Sequence, residues 1–139
     1  MENTNTVLSS WESRLLSILR IIAGFMFIQH GANKLFGFLA AEGAVRPPLL
    51  SMSGIAGILE FFGGLLIVLG LFTRPVAFIL SGQMAVAYFM VHAPSGFWTY
   101  QNKGELAVLY CFIFLYLIAA GGGTWSLDQM LRAKSPKTT

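Results

Sequence analysis

Apolar residues are gathered into four long runs along the chain, and short polar stretches separate them. The runs cover residues 14–36, 54–72, 75–92 and 105–121. A helix needs roughly 20 residues to cross about 30 Å of hydrocarbon, and each run is close to this length or exceeds it. The pattern predicts an all-α fold in which four transmembrane helices form one bundle.

The composition supports this interpretation, because 55% of the residues are hydrophobic and only 11% are charged. In soluble domains about a quarter of the residues are charged, whereas lipid favours an apolar covering. The net charge of +3 is spread singly between the apolar runs, a distribution that argues against nucleic-acid binding. We expect a polar N-terminal segment (1–13), a membrane domain (14–122) in contact with the lipid bilayer, and a basic tail (123–139).

Positive charge is distributed unequally between the two ends of the expected bundle. The end with both termini carries five basic residues, Arg14, Arg74, Arg132, Lys134 and Lys137. The end with the two long connections carries three, Lys34, Arg46 and Lys103. Because cytoplasmic loops carry an excess of Lys and Arg, we expect both termini in the cytoplasm and the protein in the plasma (inner) membrane.

Arg20 and Glu60 lie inside the first and second apolar runs, where an isolated charge costs about 2.5–3.5 kcal/mol. Gly31 and Gly57 lie on the same helix faces and would allow the two helices to approach closely. At about 1.5 Å per residue, the difference in depth between the two charges can be bridged by a long arginine side chain. We therefore predict a structural Arg20–Glu60 ion pair, with His30 as the alternative partner of Glu60.

Three further titratable residues, on three helices, share one depth near the end that carries the long connections. They are His30, His92 and Glu105, and Tyr88 lies on the same helix face as His92. We expect an aromatic-lined polar pocket here, with Lys34 at its edge, unless these residues only extend to lipid headgroups. Two histidines and a carboxylate could ligate a metal or a haem, but no HxxxH or CxxC spacing supports this, so we predict no metal site.

After Arg20 the chain carries five motifs, HGANKLFG at 30–37, GILEFFGG at 57–64, LGLFTR at 69–74, YFMVH at 88–92 and NKGELA at 102–107. These motifs and the polar positions resemble those of the DoxX family of small four-helix membrane proteins. The likeness extends over about residues 14–122, so the resemblance implies a four-helix transmembrane bundle. Because that family includes chains associated with quinone-linked oxidoreductases, the resemblance also implies a redox association.

Two hypotheses of different classes follow from these observations. In the first, the protein is a quinone-linked or redox-associated membrane subunit that needs a borrowed cofactor or a partner subunit, since the sequence holds one cysteine and no dinucleotide fingerprint. The quinone would be bound by His30, Lys34, Tyr88, His92 and Glu105. In the second, the protein is a non-enzymatic scaffold or small-solute carrier, and the predicted ion pair is purely structural. The sequence assigns no catalytic residue and no oligomeric state.

Overall fold

The computed structural model describes residues 2–134, with side chains from residue 8 onward except residue 10. Residue 1 and residues 135–139, among them Lys137 of the charge comparison above, lie outside the described residues. Within residues 2–134 the regular structure is entirely helical.

Four of the helices correspond to the four apolar runs and confirm the predicted bundle. In chain order the helices are α1 (Glu2–Phe36), α2 (Met52–Leu69), α3 (Thr73–Ser95), the short α4 (Thr99–Asn102) and α5 (Glu105–Ala120). Residues Trp11–Phe36 of α1, and α2 and α3 as a whole, are each long and apolar enough to span a membrane. Helix α5 is apolar but has only 16 residues, and α1 continues back through the polar N-terminal segment, ahead of the predicted start at residue 14.

The bundle has a narrow apolar core and carries most of its large apolar side chains on the outside. Phe27 of α1, Ile67 of α2, Leu80 of α3 and Phe114 of α5 are almost fully buried together. Outward-facing side chains such as Phe78, which is 68% exposed, cover the surface. An apolar exterior of this kind is what a lipid solvent requires and what water would penalise.

Helices α1 and α2 approach closely through glycines, as the sequence predicted. A Cβ atom added at Gly31 would lie 2.8 Å from the carbonyl oxygen of Gly57, and one at Gly24 would lie 2.9 Å from that of Gly64. Backbone atoms cannot move aside for a side chain at such distances, so the contact depends on small residues. The glycines therefore fix the depth of α1 relative to α2.

A tight turn joins α2 to α3, and α2 ends at Leu69 instead of the predicted residue 72. Gly70 takes a left-handed backbone (φ 67°, ψ 38°) that ends α2, and Phe72 takes another (φ 51°) before α3 begins at Thr73. Glycine adopts this conformation without steric cost. A Cβ atom at Gly70 would also lie 2.5 Å from the Cβ of Ser126, so the turn has no room for a larger residue.

The C-terminal segment, expected only to be a basic tail, forms a further helix, α6 (Leu127–Lys134), that contacts this turn. The Asp128 carboxylate accepts hydrogen bonds from the backbone N–H groups of Phe72 and Thr73, each at 2.8 Å. The Asp128 N–H donates in turn to the Gly70 carbonyl at 2.9 Å. Because the Phe72 side chain cannot cap α3, Asp128 supplies the N-cap from a distant part of the chain.

The predicted ion pair between Arg20 and Glu60 is wrong, because the fully buried Arg20 binds backbone carbonyls near the far end of α2. It donates hydrogen bonds to four carbonyl groups, those of Ile67, Val68, Gly122 and Trp125. Ile67 and Val68 belong to the last turn of α2, whose carbonyls carry the negative end of the helix dipole, and Gly122 and Trp125 lie in the connection between α5 and α6. A guanidinium has five N–H donors and can satisfy several of these carbonyls at once. The Glu60 carboxylate lies about 10 Å from those of α2, toward the N-terminal end of the helix.

Candidate functional site

Glu60 lies on a π-helical turn, Leu59–Gly63, in the middle of α2 and is 2% exposed. Its Oε1 forms an ion pair with Lys34 Nζ of α1 at 2.5 Å and accepts a second hydrogen bond from Gln83 Nε2 of α3 at 3.1 Å. Its Oε2 is buried and has no hydrogen-bond partner among the described residues. A buried polar atom left without a partner costs about 1–3 kcal/mol, so this oxygen marks a place for an additional donor.

The close glycine contact between α1 and α2 places Lys34 beside Glu60. A Cβ atom added at Gly57 would lie 2.9 Å from the Cβ of Lys34, so glycine leaves the space that the lysine side chain crosses. His30, the alternative partner named above, does not bind Glu60. The His30 side chain is exposed, and its ring lies nearly perpendicular to the Tyr110 ring, with 6.2 Å between the centroids.

His92 ends a second π-helical turn, Tyr88–His92, in α3. Its Nδ1 lies 3.0 Å from the Asn102 carbonyl oxygen, which can only accept. In the neutral ring Nδ1 therefore carries the proton and Nε2 is left as an acceptor. Tyr88 stacks on the ring at 6.5 Å between centroids, and the Asn102 side chain donates to the Gly96 carbonyl at 2.8 Å. These contacts hold the imidazole in one orientation.

Each of the two π-helical turns carries a polar residue of the site, Glu60 in α2 and His92 in α3. A π turn inserts one residue into a helix and rotates the side chains that follow it relative to a regular α-helix. Such turns are rare and occur frequently at functional sites. Here they direct two polar side chains from neighbouring helices toward one region of the bundle.

An apolar cleft of about 620 Å³ lies between α2 and α3 and ends at Glu60 and His92. Its aliphatic walls are formed by Ile55, Leu59, Ile79, Val86 and Val91. Its polar lining consists of Lys34, Ser53, Glu60, Gln83 and His92. Most of the aliphatic wall residues are about half exposed on the outer surface of the bundle, so this α2–α3 cleft opens toward lipid.

A smaller cavity of about 230 Å³ lies between α1, α3 and α5. It shares four lining residues with the cleft, Lys34, Glu60, Ala87 and His92. Tyr110 also lines it, is 5% exposed, and carries a hydroxyl without a partner in the part of the chain that the structure describes. We call this the loop-end cavity, because it reaches Lys103 in the connection between α4 and α5.

The structure brings together only part of the predicted pocket. Lys34 and His92 line both the cleft and the loop-end cavity, and His30 lines the loop-end cavity. Tyr88 lines neither space. Its hydroxyl donates to the Phe97 carbonyl in the loop before α4 and lies 3.5 Å from the Asn102 side-chain nitrogen. Glu105 is exposed at the start of α5 and borders neither space.

Glu60 and Gln83 are residues of this site that sequence reasoning did not place in the pocket. Glu60 was expected to be occupied by Arg20. Gln83 is a lone amide within an apolar run, and that polarity at membrane depth was the available signal. Residues 8–134 hold no cluster of three or more His, Cys, Asp or Glu side chains that could bind a metal ion.

Comparisons with known proteins agree with the resemblance noted in the sequence. The DoxX family model matches residues 15–93. A Haemophilus influenzae protein described as uncharacterized is 44% identical over 129 residues, which cover 88% of this chain and 94% of the relative. Two Escherichia coli relatives are the inner membrane protein YphA, 32% identical over 83% of this chain and 89% of its own, and the inner membrane protein YqjF, 26% identical over 84% and 92%. No solved structure matches the chain significantly.

Proposed function

This chain belongs to the DoxX family, and we propose that it is a redox-associated membrane subunit that binds a quinone in the α2–α3 cleft. It is a multi-pass protein of the inner membrane, the location that the names of its Escherichia coli relatives give. The observation that carries the proposal is an apolar cleft, open toward lipid, that ends on the buried Glu60 and its partners Lys34 and Gln83.

The form of the cleft suits a molecule with an apolar tail and a polar ring. Small-molecule sites have volumes of about 300–1,000 Å³ and combine mostly apolar walls with a few polar groups. The cleft has a volume of about 620 Å³ and this same division of its lining. Ile55, Ile79 and Val86 would contact the tail, and a ligand dissolved in the bilayer would enter between the helices without crossing the headgroup layer.

The polar end of the cleft offers both hydrogen-bond donors and acceptors. Lys34 has three N–H donors and gives one to Glu60, which leaves donors for a quinone carbonyl. Glu60 Oε2 and Gln83 Oε1 are buried without partners among the described residues, and His92 Nε2 is an acceptor in the neutral ring. The two hydroxyls of the reduced ring would donate to two of these three atoms. The residues therefore fit both oxidation states.

A bound quinone would supply redox chemistry that amino-acid side chains lack. The chain's own contribution would be to hold the ring and to exchange protons at Glu60 and His92. Cys111 is the single cysteine of the sequence, so no cysteine pair of this chain can pass electrons to the ring. We therefore propose that the electrons come from a partner subunit.

The test is binding of a short-chain ubiquinone to the protein purified in mild detergent. We expect saturable binding and a higher melting temperature, because a ligand at 100 times its Kd stabilises the folded state by about 2.7 kcal/mol. Glu60→Gln and His92→Ala should each weaken binding about tenfold or more, a loss of at least ~1.4 kcal/mol. Glu105→Gln is the matched control, since Glu105 borders neither the cleft nor the cavity.

Two results would contradict the proposal. The first is an absence of saturable ubiquinone binding together with an absence of quinone in lipid extracted from the purified protein. That outcome would favour the non-enzymatic scaffold or small-solute carrier. The second is unchanged ubiquinone affinity in a correctly folded His92→Ala protein, because the imidazole belongs to the polar end of the proposed site.

A further inference from the structure

We propose that the loop-end cavity is an aqueous path that brings water to the Glu60 carboxylate from one end of the bundle. That end holds the 37–51 connection and residues 96–104, and we call it the loop end. This inference rests on the proposed function in one respect, because Glu60 also forms the polar end of the α2–α3 cleft that would bind the quinone. The path would give protons access to the site by a route separate from that of the ligand.

Two spaces of different character meet at one ion pair. The α2–α3 cleft has mainly aliphatic walls, whereas the loop-end cavity is also lined by His30, Lys103 and Tyr110. Lys34 and Glu60 line both spaces and therefore stand between them. A water molecule in the cavity can reach the carboxylate without passing through the apolar cleft.

Two residues that line the loop-end cavity carry buried polar atoms without partners. The Tyr110 hydroxyl and Glu60 Oε2 lack hydrogen-bond partners among the described residues, although the two residues are only 5% and 2% exposed. Buried water usually satisfies such atoms and makes about three hydrogen bonds to its surroundings. The cavity volume of about 230 Å³ is several times the roughly 30 Å³ that one water occupies in the liquid. Both the space and the polar partners for several waters are present.

The residues that line the loop-end cavity differ in exposure between the loop end and the middle of the bundle. Lys103 and His30 line the cavity at the loop end, and both are exposed. Polar side chains at this level keep contact with water and headgroups instead of acyl chains. On the inner side Phe27, which is 1% exposed, and Met84 form the floor. In the proposed path, water enters at the loop end, past Lys103 and His30.

Cysteine labelling tests the path in a Cys111→Ser background, which leaves no other thiol in the sequence. Met84→Cys places a thiol in the loop-end cavity, and Val86→Cys places one in the α2–α3 cleft at nearly the same depth. A charged methanethiosulfonate reagent is added to both sides of proteoliposomes. Met84→Cys should react about tenfold faster or more, because thiolates form in water and not in hydrocarbon.

Two controls make this comparison decisive. After denaturation in sodium dodecyl sulfate both thiols should react equally with N-ethylmaleimide, which shows that each is present and unblocked. Should Met84→Cys fail to insert, Ala107→Cys lines the same cavity and takes its place in the comparison. A cavity thiol that reacts no faster than Val86→Cys would overturn the path.

Filling the cavity tests the same inference by a different change. Ala107 lines the loop-end cavity and not the cleft, so Ala107→Leu should slow the labelling of Met84→Cys about tenfold by displacing water from it. Ala56→Leu is the matched control, because Ala56 lines only the cleft, and labelling should stay unchanged. Equal labelling rates of Met84→Cys in the Ala107→Leu and Ala56→Leu proteins would contradict the path.

Ubiquinone binding separates this inference from the proposed function. The Ala107→Leu protein should bind ubiquinone as the unsubstituted protein does, since Ala107 does not line the cleft. Rapid labelling of Met84→Cys in a protein that binds no ubiquinone would support the aqueous path and contradict the proposed quinone site. Ubiquinone binding together with slow labelling would support the quinone site and contradict the aqueous path.

Discussion

Lys34 Nζ lies 2.5 Å from Glu60 Oε1, yet the two side chains differ in exposure, at 30% for the lysine and 3% for the glutamate. Lys34 can keep part of its ammonium group hydrated, whereas the charge of Glu60 depends on donors from the protein. Loss of the lysine therefore leaves a buried carboxylate without a cation. Loss of the carboxylate leaves a lysine that can still turn toward water.

Lys34→Met should lower the free energy of unfolding by about 3 kcal/mol, because removal of one partner strands a buried charge. Glu60→Gln should cost less, about 1 kcal/mol, since the amide keeps an acceptor for Gln83 and leaves no charge buried. Thermal denaturation in detergent micelles measures both values. Lys134→Met, an exposed lysine on α6, should change stability by less than about 0.5 kcal/mol.

The double substitution of Lys34→Met with Glu60→Gln decides whether the two residues interact. We expect it to be less destabilised than the sum of the two single substitutions, because the buried carboxylate is gone. Additive effects would mean that the ion pair contributes nothing to stability.

Arg20→Lys should be strongly destabilising although it keeps the positive charge. One ammonium nitrogen cannot reach carbonyls that separate guanidinium nitrogens bind, such as those of Gly122 and Trp125 at 2.7 Å each. Two lost charged hydrogen bonds at about 1.5–3 kcal/mol each predict a cost of about 3–6 kcal/mol, measurable by denaturation in micelles. Arg74→Lys is the matched control and should cost about 1 kcal/mol or less, since the one such bond of Arg74 among the described residues, to Ile118, is exposed to solvent. Equal costs for the two substitutions would contradict this account.

The helices could be predicted from the sequence because lipid imposes a simple rule on length and polarity. The contact between α1 and α2 was predictable for a similar reason, since glycines such as Gly31 and Gly57 mark faces that approach closely. The partners of Arg20 were not predictable, because they are backbone carbonyls. Every residue carries a carbonyl group, so such partners leave no trace in the sequence.

The candidate site was predicted in part. Lys34 and His92 line the same two spaces, and their similar depth could be predicted from the rise per residue of a helix. The π-helical turns at Glu60 and His92 change the phase of α2 and α3, and a regular period of 100° per residue cannot show this. Asp128 was missed because its partners belong to a distant turn that exists only in the folded bundle.

The docking of α6 should weaken in acid. Burial raises the pKa of the Asp128 carboxyl, but hydrogen bonds from Thr73 and Phe72 and the nearby Arg132 charge outweigh it and lower the pKa below its ordinary value. Because the folded pKa is depressed, the stabilisation is fully present above the ordinary aspartate pKa of about 3.9 and is lost as the pH falls through the folded value. Hydrogen exchange of the α6 amides, corrected for intrinsic rates, should show constant protection from neutral pH to about pH 5 and less protection below about pH 4.

Substitution of Asp128 separates its ionisation from its hydrogen bonding. Asp128→Ala should cost about 1–2 kcal/mol at neutral pH, as the loss of other helix N-caps does. Asp128→Asn keeps a hydrogen-bond acceptor and should lower the free energy of unfolding by less than Asp128→Ala does. In the Asp128→Asn protein, the hydrogen-exchange protection of the α6 amides should no longer fall in acid. Acid-induced loss of protection that persists in Asp128→Asn would assign the effect to another group.

Gly31→Ala and Gly82→Ala should change stability in opposite directions. A Cβ atom at Gly31 would lie 2.8 Å from the Gly57 carbonyl oxygen and would also meet the Phe61 backbone, so overpacking should cost about 1–3 kcal/mol. A Cβ atom at Gly82 in α3 would have none of the described atoms within 4 Å, and alanine favours a helix over glycine by about 0.5–1 kcal/mol. Melting temperatures in detergent measure both effects.

The same two substitutions should also differ in ubiquinone binding. Helix α1 carries Lys34 into the cleft, so an α1 displaced by Gly31→Ala moves the ammonium group away from Glu60 and from the ligand. Gly82→Ala leaves this contact in place and should bind ubiquinone as the unsubstituted protein does. A Gly31→Ala protein with unchanged stability and unchanged binding would mean that α1 and α2 do not meet at Gly31. The position of Lys34 beside Glu60 would then need another cause.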